Sequence, residues 1–381
     1  MIAQKYREII MKLNDNELVQ LIKYANIGKK TKENHSSDIA LGSAIQMTSS
    51  ASERYKVIKL KIDREERISP EDLGWFNKID YLKTITSKKL PDELDNKCEK
   101  EVFNYVYEKL LNSNVSNTIA LLLSPYLTNY IISGEMKKPL MFVGNPGCGK
   151  TELAKIIAKI LGRPLYRTCP TQTDRNHGLR GEGSSFQSPD MGEILRADYE
   201  TGYDNSVILF DEVSTGVKSD RQVNFEDEFL TILDDESMAV TDNYLSIRKS
   251  LKGSLLIFTD NDLDGISVRF QDRCVVCRIS DVELDRMTRI IEEYIGAEID
   301  KLTVSVEYSK DELIDHVNKL YHHNFHSIRR IKDMVDLAIN SARTRYNLSD
   351  AISVTVTHGD FEEATTRVIA NGSKETRKMG F

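Results

Sequence analysis

Residues 144–151 of this sequence, GNPGCGKT, combine three glycines with a final Lys-Thr pair. The stretch follows the apolar run PLMFV and precedes the helical pattern ELAKIIAKIL. In the pattern G-x-x-x-x-G-K-T, the glycines let successive backbone N–H groups converge on an anion at a helix N-terminus. We therefore expect Lys150 to reach the outer phosphates of a nucleotide and Thr151 to offer its hydroxyl to Mg²⁺.

Asp211 and Glu212 follow a second apolar run, SVILF. One carboxylate at a strand end can hold hydrated Mg²⁺, and a second can polarise an attacking water. The pair favours hydrolysis, since a kinase has no reason to place a glutamate directly after the Mg²⁺ aspartate. The sequence thus predicts ATP and Mg²⁺ as cofactors, with Thr151 and Asp211 as metal ligands and Lys150 and Glu212 as catalytic residues.

Short apolar runs alternate with helical segments after the phosphate loop, which predicts an α/β fold with a doubly wound parallel sheet. The runs are PLYRT, SVILFDE, GSLLIFTDND and CVVCRI. Long helices are expected before the loop from about residue 91. Further helices are expected at 281–296, 311–323, 327–346 and from Asp360, with a short strand SVTVT before the last.

The sequence before residue 91 has a different pattern. Residues 2–27 have helical spacing, 29–53 are rich in Ser, Thr and Lys and predict a mobile linker, and RYKVIKLKID at 54–63 alternates like a strand. Three domains follow: 1–90, a mostly helical α+β domain that recognises a substrate or partner; 91–280, the nucleotide-binding α/β domain; and 281–381, a helical lid.

Composition limits the function classes. The net charge of −7 does not suggest a protein that coats nucleic acid. No apolar run of membrane-spanning length and no charged-then-apolar leader occurs, so we expect a cytoplasmic protein with no membrane contact. The five cysteines are scattered, and the CVVC stretch at 274–277 is interpreted as a buried strand rather than a zinc site.

From about 136 to 368 the sequence resembles the AAA+ ATPases. LLIFTDND resembles the sensor-1 strand, where Asn261, or Thr259 as the alternative, would position the lytic water. ISVRFQDRC resembles the arginine-finger segment, in which Arg273, or alternatively Arg269, would reach a neighbouring subunit's γ-phosphate. HSIRRIKDMV resembles the sensor-2 helix. The residues then expected to contact the nucleotide are Gly144, Asn145, Pro146, Gly147, Cys148, Gly149, Lys150, Thr151, Glu152, Arg329 and Arg330.

Within that superfamily the sequence looks most like the ATPase module of Lon proteases, with a MoxR-like module as a near competitor. The Lon likeness depends on LGRPLYR, GLRGEG, DNYLSIRKSLKGSLLIFTDND, QDRC and ISVTVTHGDFEEA, in that order. Lon proteases carry a Ser-Lys peptidase domain after the lid, whereas this chain ends about ten residues beyond it. We therefore expect no protease activity of its own.

The resemblance implies a homo-oligomeric ring, commonly a hexamer, because the arginine finger acts in trans. The loop RGEGSSFQSPD would face the pore, where Phe186 would grip a threaded chain or, alternatively, pack under the loop. The stretch from 221 to 250 is long enough for a helix and a β-hairpin. His177 has no nucleophile paired with it and is assigned to loop packing. The cluster His322, His323 and His326 lacks the acidic or cysteine partners of a metal site and is assigned to the surface of the lid.

Two classes of function remain open. In the first, ATP hydrolysis drives the remodelling, unfolding or disassembly of a protein that the N-terminal domain selects. In the second, ATP switches an oligomer that acts on nucleic acid or recruits an effector, as in loader, transposition or phage-defence ATPases. Steep salt dependence and stimulation by DNA or RNA would indicate the second. The acidic balance favours the first.

Overall fold

The structure is a computed structural model of the chain and describes residues 56–64, 66–169, 178–183, 190–216, 225–302, 304–348 and 353–378. The chain divides into two compact units. The first unit combines Met1–Ser87, Gln172–Asp204 and Ser237–Leu251, and the second combines Lys88–Thr171, Asn205–Glu236 and Lys252–Phe381. The domain boundaries at 90 and 280 remain predictions.

The described strands are short. They are β1 (Leu140–Val143), β2 (Leu165–Thr168), β3 (Val207–Phe210), β4 (Ala239–Asp242), β5 (Ile247–Ser250), β6 (Leu255–Asp260), β7 (Val275–Arg278), β8 (Val306–Tyr308) and β9 (Val354–Val356).

Eleven helices have both ends described. They are α1 (Pro70–Thr84), α2 (Glu99–Asn112), α3 (Asn117–Ser133), α4 (Lys150–Ile160), α5 (Glu193–Thr201), α6 (Phe225–Leu233), α7 (Val268–Asp272), α8 (Leu284–Ile299), α9 (Lys310–His322), α10 (Ile328–Asn347) and α11 (His358–Lys378).

The second unit contains a five-stranded parallel sheet in the order β2-β3-β6-β1-β7. The predicted doubly wound α/β fold and all four of its predicted strand runs are confirmed. Every residue of β1, β3 and β6 is buried, as expected for a parallel sheet covered on both faces. The register pairs Val143 with Asp260 and Phe210 with Phe258, so the segments after β1, β3 and β6 leave the same edge.

A layer of aromatic side chains lies beneath that edge. Phe210 and Phe258, each one residue from a polar site residue, have ring centroids 5.7 Å apart. Phe229 of α6 packs 5.0 Å from both rings, and Phe270 of α7 packs 5.1 Å from Phe258. All four rings are fully buried. Such interlocked aromatic packing holds the ends of β3 and β6 in one arrangement, because close-packed rings have few alternative positions.

A second hydrophobic cluster lies in the C-terminal helical part of this unit. It joins α8, α9, α10 and α11 through buried residues that include Ile291, Val317, Met334 and Phe361. The helices predicted at 281–296, 311–323 and 327–346 are confirmed within a few residues. The predicted strand SVTVT is β9, and the sequence analysis missed its parallel partner β8.

The first unit contains α1, α5 and the antiparallel β4–β5 hairpin. Asp198 of α5 is fully buried and accepts hydrogen bonds from the Tyr81 hydroxyl and the Lys249 ammonium. Asp242 at the end of β4 accepts from the backbone N–H groups of Gly192 and Leu245, both at 2.7 Å. These buried carboxylates connect the hairpin to α5, since an unpaired carboxylate there would be costly.

The strand predicted at 54–63 is wrong, because residues 56–63 are helical. Ile58 is buried there, but Val57 and Leu60 are 51% and 52% exposed, so the alternation of apolar residues does not mark a core face. An alternating pattern makes a strand only where a neighbouring strand can pair with it. Among the described helices, none is both long enough and apolar enough to cross a membrane.

Candidate active site

The phosphate loop connects β1 to α4. Gly147 and Gly149 have φ angles of +81° and +102°, a region that other residues adopt only with strain. A Cβ at Gly147 would lie 1.9 Å from the Ser327 hydroxyl, and one at Gly144 would lie 2.2 Å from the Ile279 carbonyl oxygen. Glycine is therefore required at 144 and 147 by close packing and at 149 by backbone conformation.

Lys150 begins α4 and is 8% exposed. Its ammonium donates to the carbonyl oxygens of Gly144 and Asn145, at 2.5 Å and 3.1 Å, and to Oδ1 of Asn261, at 3.0 Å. The loop thus holds a buried cation at its centre, in contact with the polar residue that follows β6. An anion at the loop would meet this charge with little loss of hydration, because the ammonium has already left bulk water.

Asp211 follows β3, and its carboxylate contacts three side chains. Its Oδ2 lies 3.3 Å from the Thr151 hydroxyl and 2.6 Å from Nη2 of Arg167, and its Oδ1 accepts from the Thr259 hydroxyl. A carboxylate next to a threonine hydroxyl is the oxygen donor set that Mg²⁺ prefers. These residues fit the predicted metal ligands Thr151 and Asp211, although Arg167 occupies one carboxylate oxygen.

Glu212 has a φ of +58°, in the left-handed region, and its side chain is exposed. Its backbone N–H donates to the Thr259 hydroxyl at 3.2 Å. The neighbouring Asp260 carboxylate accepts from the backbone N–H groups of Ser214 and Asn261, at 2.6 Å and 2.7 Å. The turn after β3 is therefore fastened to the end of β6. A strained residue held by such bonds is characteristic of functional sites.

Two further segments contact the phosphate loop, namely the start of α10 and the segment that follows β7. The backbone N–H of Ile328, the first residue of α10, donates to the carbonyl oxygen of Gly147 at 3.1 Å. The side-chain amide of Asn145 donates to both oxygens of Asp281, at 3.0 Å. Arg329 therefore lies in the first turn of a helix that contacts the loop, and it is exposed. Arg330 stacks over the Phe325 ring, 5.4 Å from its centroid.

The two arginines predicted as trans-acting fingers share one partner on their own chain. Nη2 of Arg269 lies 2.9 Å from Oδ2 of Asp234, and Nε of Arg273 lies 2.6 Å from Oδ1 of Asp234. Hydrogen bonds from Arg273 and Arg269 lower the pKa of Asp234 below its usual range. The arginine side chains are 66% and 42% exposed, so both arginines lie on the surface next to the Asp234 carboxylate.

Other residues named from the sequence have simpler surroundings. Glu152 forms an exposed ion pair with Lys155 at 3.0 Å, and Cys148 is buried, which raises the pKa of its thiol. Cys277 lies in β7 and Cys274 immediately precedes that strand, and burial raises the pKa of each thiol to about 12. The prediction of a buried strand is confirmed for Cys277, whereas Cys274 is buried but lies one residue before the strand. Phe186 and His177 lie outside the described residues.

Arg167 is the residue that the sequence analysis missed. It lies in β2, in register with Leu209 of β3, and so reaches the carboxylate that follows that strand. The sequence did contain an indication of this role, because Arg167 is the one charged residue of the strand run PLYRT. Because β2 pairs with β3, the strand that Asp211 follows, an arginine in β2 is placed where it can contact Asp211. Ser214 and Asp281 gave no comparable signal.

Comparisons with known proteins match the part of the chain that contains the phosphate loop. Residues 140–280 match the family described as "ATPase family associated with various cellular activities (AAA)". Lon protease of Citrifermentans bemidjiense is 29% identical over 248 residues, which cover 64% of this chain and 30% of that protein. Lon protease 3 of Sorangium cellulosum is 31% identical over 188 residues, covering 48% of this chain and 20% of that protein.

A mitochondrial Lon protease homolog of Yarrowia lipolytica is 28% identical over 268 residues, which cover 68% of this chain and 21% of that protein. The chain therefore spans about a third or less of the length of these relatives. The similarity predicted from the sequence to Lon-type ATPases is confirmed over this part of the chain.

Proposed function

From the premise that the chain contains an AAA ATPase domain at residues 140–280, similar to Lon proteases, we propose that it couples ATP hydrolysis to the remodelling, unfolding or disassembly of a protein substrate. One observation carries the hydrolytic part of this proposal. Lys150 and Thr151, at the start of one helix, contact Asn261 and Asp211, which follow two different strands, at 3.0 Å and 3.3 Å.

Bound ATP with Mg²⁺ would supply the phosphate that is cleaved and the charge that the site neutralises. Lys150 and the loop N–H groups hold the phosphates, while Thr151 and Asp211 are the ligands for the ion. Glu212 takes a proton from the attacking water, and Asn261, fixed by Lys150, orients that water. Arg329 reaches the phosphates from the first turn of α10. Each role uses a side chain on a rigid strand end or helix start, which favours precise positioning.

Arg273, with Arg269 as the alternative, acts on the γ-phosphate of a neighbouring subunit in a homo-oligomeric ring, commonly a hexamer. Both arginines contact Asp234 in the isolated chain, so assembly would replace that partner with phosphate. The exchange costs little, because an exposed ion pair is screened by solvent and contributes little to stability. The proposal also includes an N-terminal segment, residues 1–90, that selects the substrate, and a cytoplasmic location.

The direct test compares ATP turnover and ATP affinity of the full chain with those of Glu212→Gln. Removing the base lowers kcat by about 10²-fold or more while ATP affinity changes little, because the amide keeps the shape of the carboxylate. Glu108→Gln is the matched control, since Glu108 is exposed on α2. A Glu212→Gln variant with full activity would remove Glu212 from the mechanism.

A second measurement separates protein remodelling from the nucleic-acid alternative. Turnover by the wild-type chain is measured with an unfolded model protein, with single-stranded DNA and with RNA, at low and high salt. Stimulation by the unfolded protein supports remodelling. Stimulation by nucleic acid that disappears steeply with salt would overturn it in favour of an ATP-switched nucleic-acid function.

A further inference from the structure

Two histidines and a glutamate converge in the C-terminal helical part of the chain, apart from the residues assigned to nucleotide. One ligand atom from each of His316, His358 and Glu362 lies within 4.8 Å of the other two. This is the one such group of three or more metal-ligating side chains in the part of the chain that the structure describes. The histidines singled out from the sequence, His322, His323 and His326, do not belong to it.

Helix geometry brings the three residues together. His358 is the first residue of α11 and Glu362 follows it by four residues, so both side chains lie on one face of that helix. His316 comes from α9, which packs against α11, and the two histidine rings have centroids 5.1 Å apart. Nδ1 of His316 lies 3.8 Å from Oε2 of Glu362. The pair His358 and Glu362 is a possible ligand pair by spacing alone, and only the packing of α9 adds the third member.

His316 has the properties of a prepared ligand. It is 2% exposed, its Nδ1 lies 3.0 Å from the Thr365 hydroxyl, and its buried Nε2 has no hydrogen-bond partner. A buried nitrogen without a partner is unfavourable, because it has lost its hydrogen bonds to water. Because the Nδ1 that lies near Glu362 also contacts Thr365, ligation would use either Nδ1, in exchange for the Thr365 contact, or the partnerless Nε2.

Glu362 is ionised but already has a partner. Lys319 donates to its two oxygens at 2.7 Å and 2.8 Å, and these bonds lower the pKa of Glu362. The pair is open to solvent, with side chains 42% and 45% exposed. An incoming cation would compete with Lys319, whose flexible stem can turn into solvent at little cost.

We propose that His316, His358 and Glu362 bind a divalent transition-metal ion of the zinc type, which ties α9 to the start of α11. Two imidazole nitrogens and one carboxylate oxygen, with water in the fourth position, make a tetrahedral site. Ligand atoms in such a site lie roughly 3.3 Å apart, given metal–ligand bonds of about 2.0–2.1 Å. The ligand atoms now lie within 4.8 Å of one another, so binding would bring them up to about 1.5 Å closer.

The site is tested on the full chain, stripped of metal with a chelator and titrated with Co²⁺ as a spectroscopic probe and with Zn²⁺ as a competitor. One Co²⁺ per chain with the strong visible absorption of tetrahedral coordination is expected, displaced by Zn²⁺. His358→Ala should weaken Co²⁺ binding by about tenfold or more and abolish that spectrum. His358 is exposed, so this variant keeps the fold. His322→Ala, which removes an exposed histidine of α9, should leave binding unchanged.

Lys319→Ala should change the Co²⁺ affinity in the opposite direction to His358→Ala. Removing the competing ammonium should tighten Co²⁺ binding by up to about fivefold, the effect of an exposed ion pair of at most about 1 kcal/mol. A merely structural role for Lys319 would not improve metal affinity. The proposal is overturned by Co²⁺ binding of equal strength in His358→Ala and wild type, by weaker binding in Lys319→Ala, or by the absence of a tetrahedral spectrum at millimolar Co²⁺.

Discussion

Arg167 donates from two nitrogens, Nε at 2.9 Å and Nη2 at 2.6 Å, to Oδ2 of Asp211. The same oxygen lies 3.3 Å from the Thr151 hydroxyl. An arginine therefore occupies the carboxylate oxygen that faces the expected Mg²⁺ ligand. Its charge pairs with the carboxylate and holds it in position, but it repels a second cation beside it. The balance between these effects can be measured.

Arg167→Gln should lower the Mg²⁺ concentration needed for half-maximal ATP turnover. The guanidinium is 59% exposed, so its repulsion of the ion is screened and the shift is expected to be no more than about fivefold. A Mg²⁺ titration of turnover measures it, with Arg343→Gln, an exposed arginine of α10, as control. An increased Mg²⁺ requirement would show instead that Arg167 mainly holds Asp211 in position.

Arg273→Ala should lower kcat by about 10³-fold without weakening ATP binding, because a finger stabilises charge that develops only in the transition state. Arg269→Ala should have a much smaller effect. Since the finger is proposed to act in trans, mixing Arg273→Ala with Glu212→Gln chains should restore part of the turnover that each lacks alone. No recovery on mixing would contradict action between subunits, and the reverse ranking of the two arginines would identify Arg269 as the finger.

Gly147→Ala should greatly weaken nucleotide binding. A Cβ there would lie 1.9 Å from the Ser327 hydroxyl, and the φ of +81° is unfavourable for alanine. Either effect displaces the loop carbonyl that accepts from Ile328. Binding of a fluorescent ATP analogue and the thermal midpoint are the measurements. Gly296→Ala in α8 is the control. An added Cβ meets nothing within 4 Å there, and we expect a gain of about 0.5–1 kcal/mol from helix propensity.

Lys249→Ala should destabilise the first unit by about 3–5 kcal/mol, because it leaves the Asp198 carboxylate buried without its cation. The side chains of this pair are 7% and 0% exposed. Trp75 is the only tryptophan in the chain and belongs to α1, so its fluorescence during urea unfolding reports on this unit. Lys301→Ala removes an exposed partner of Glu298 and should change stability by less than about 1 kcal/mol. A small effect of Lys249→Ala would indicate that water reaches Asp198.

The sequence by itself determined the features that local patterns encode. The phosphate loop was identifiable because its glycines, lysine and threonine are close in sequence and must occur between a strand and a helix. The strands β1, β3 and β6 were identifiable because parallel strands buried on both faces appear as continuous apolar runs. The alternating run at 54–63 led to a wrong strand prediction. Whether such a segment forms a strand depends on a neighbouring strand, which the residues of the segment do not specify.

Only the tertiary structure decided which distant residues meet. Arg167 reaches Asp211 because β2 and β3 pair in a particular register, and Arg269 and Arg273 converge on Asp234 because α6 and α7 pack on one aromatic layer. The histidines crowded together in the sequence at 322–326 stay separate from the candidate metal site, whereas His316 and His358 come together across two packed helices. Contacts of this kind depend on packing among elements far apart in the chain, which no local pattern records.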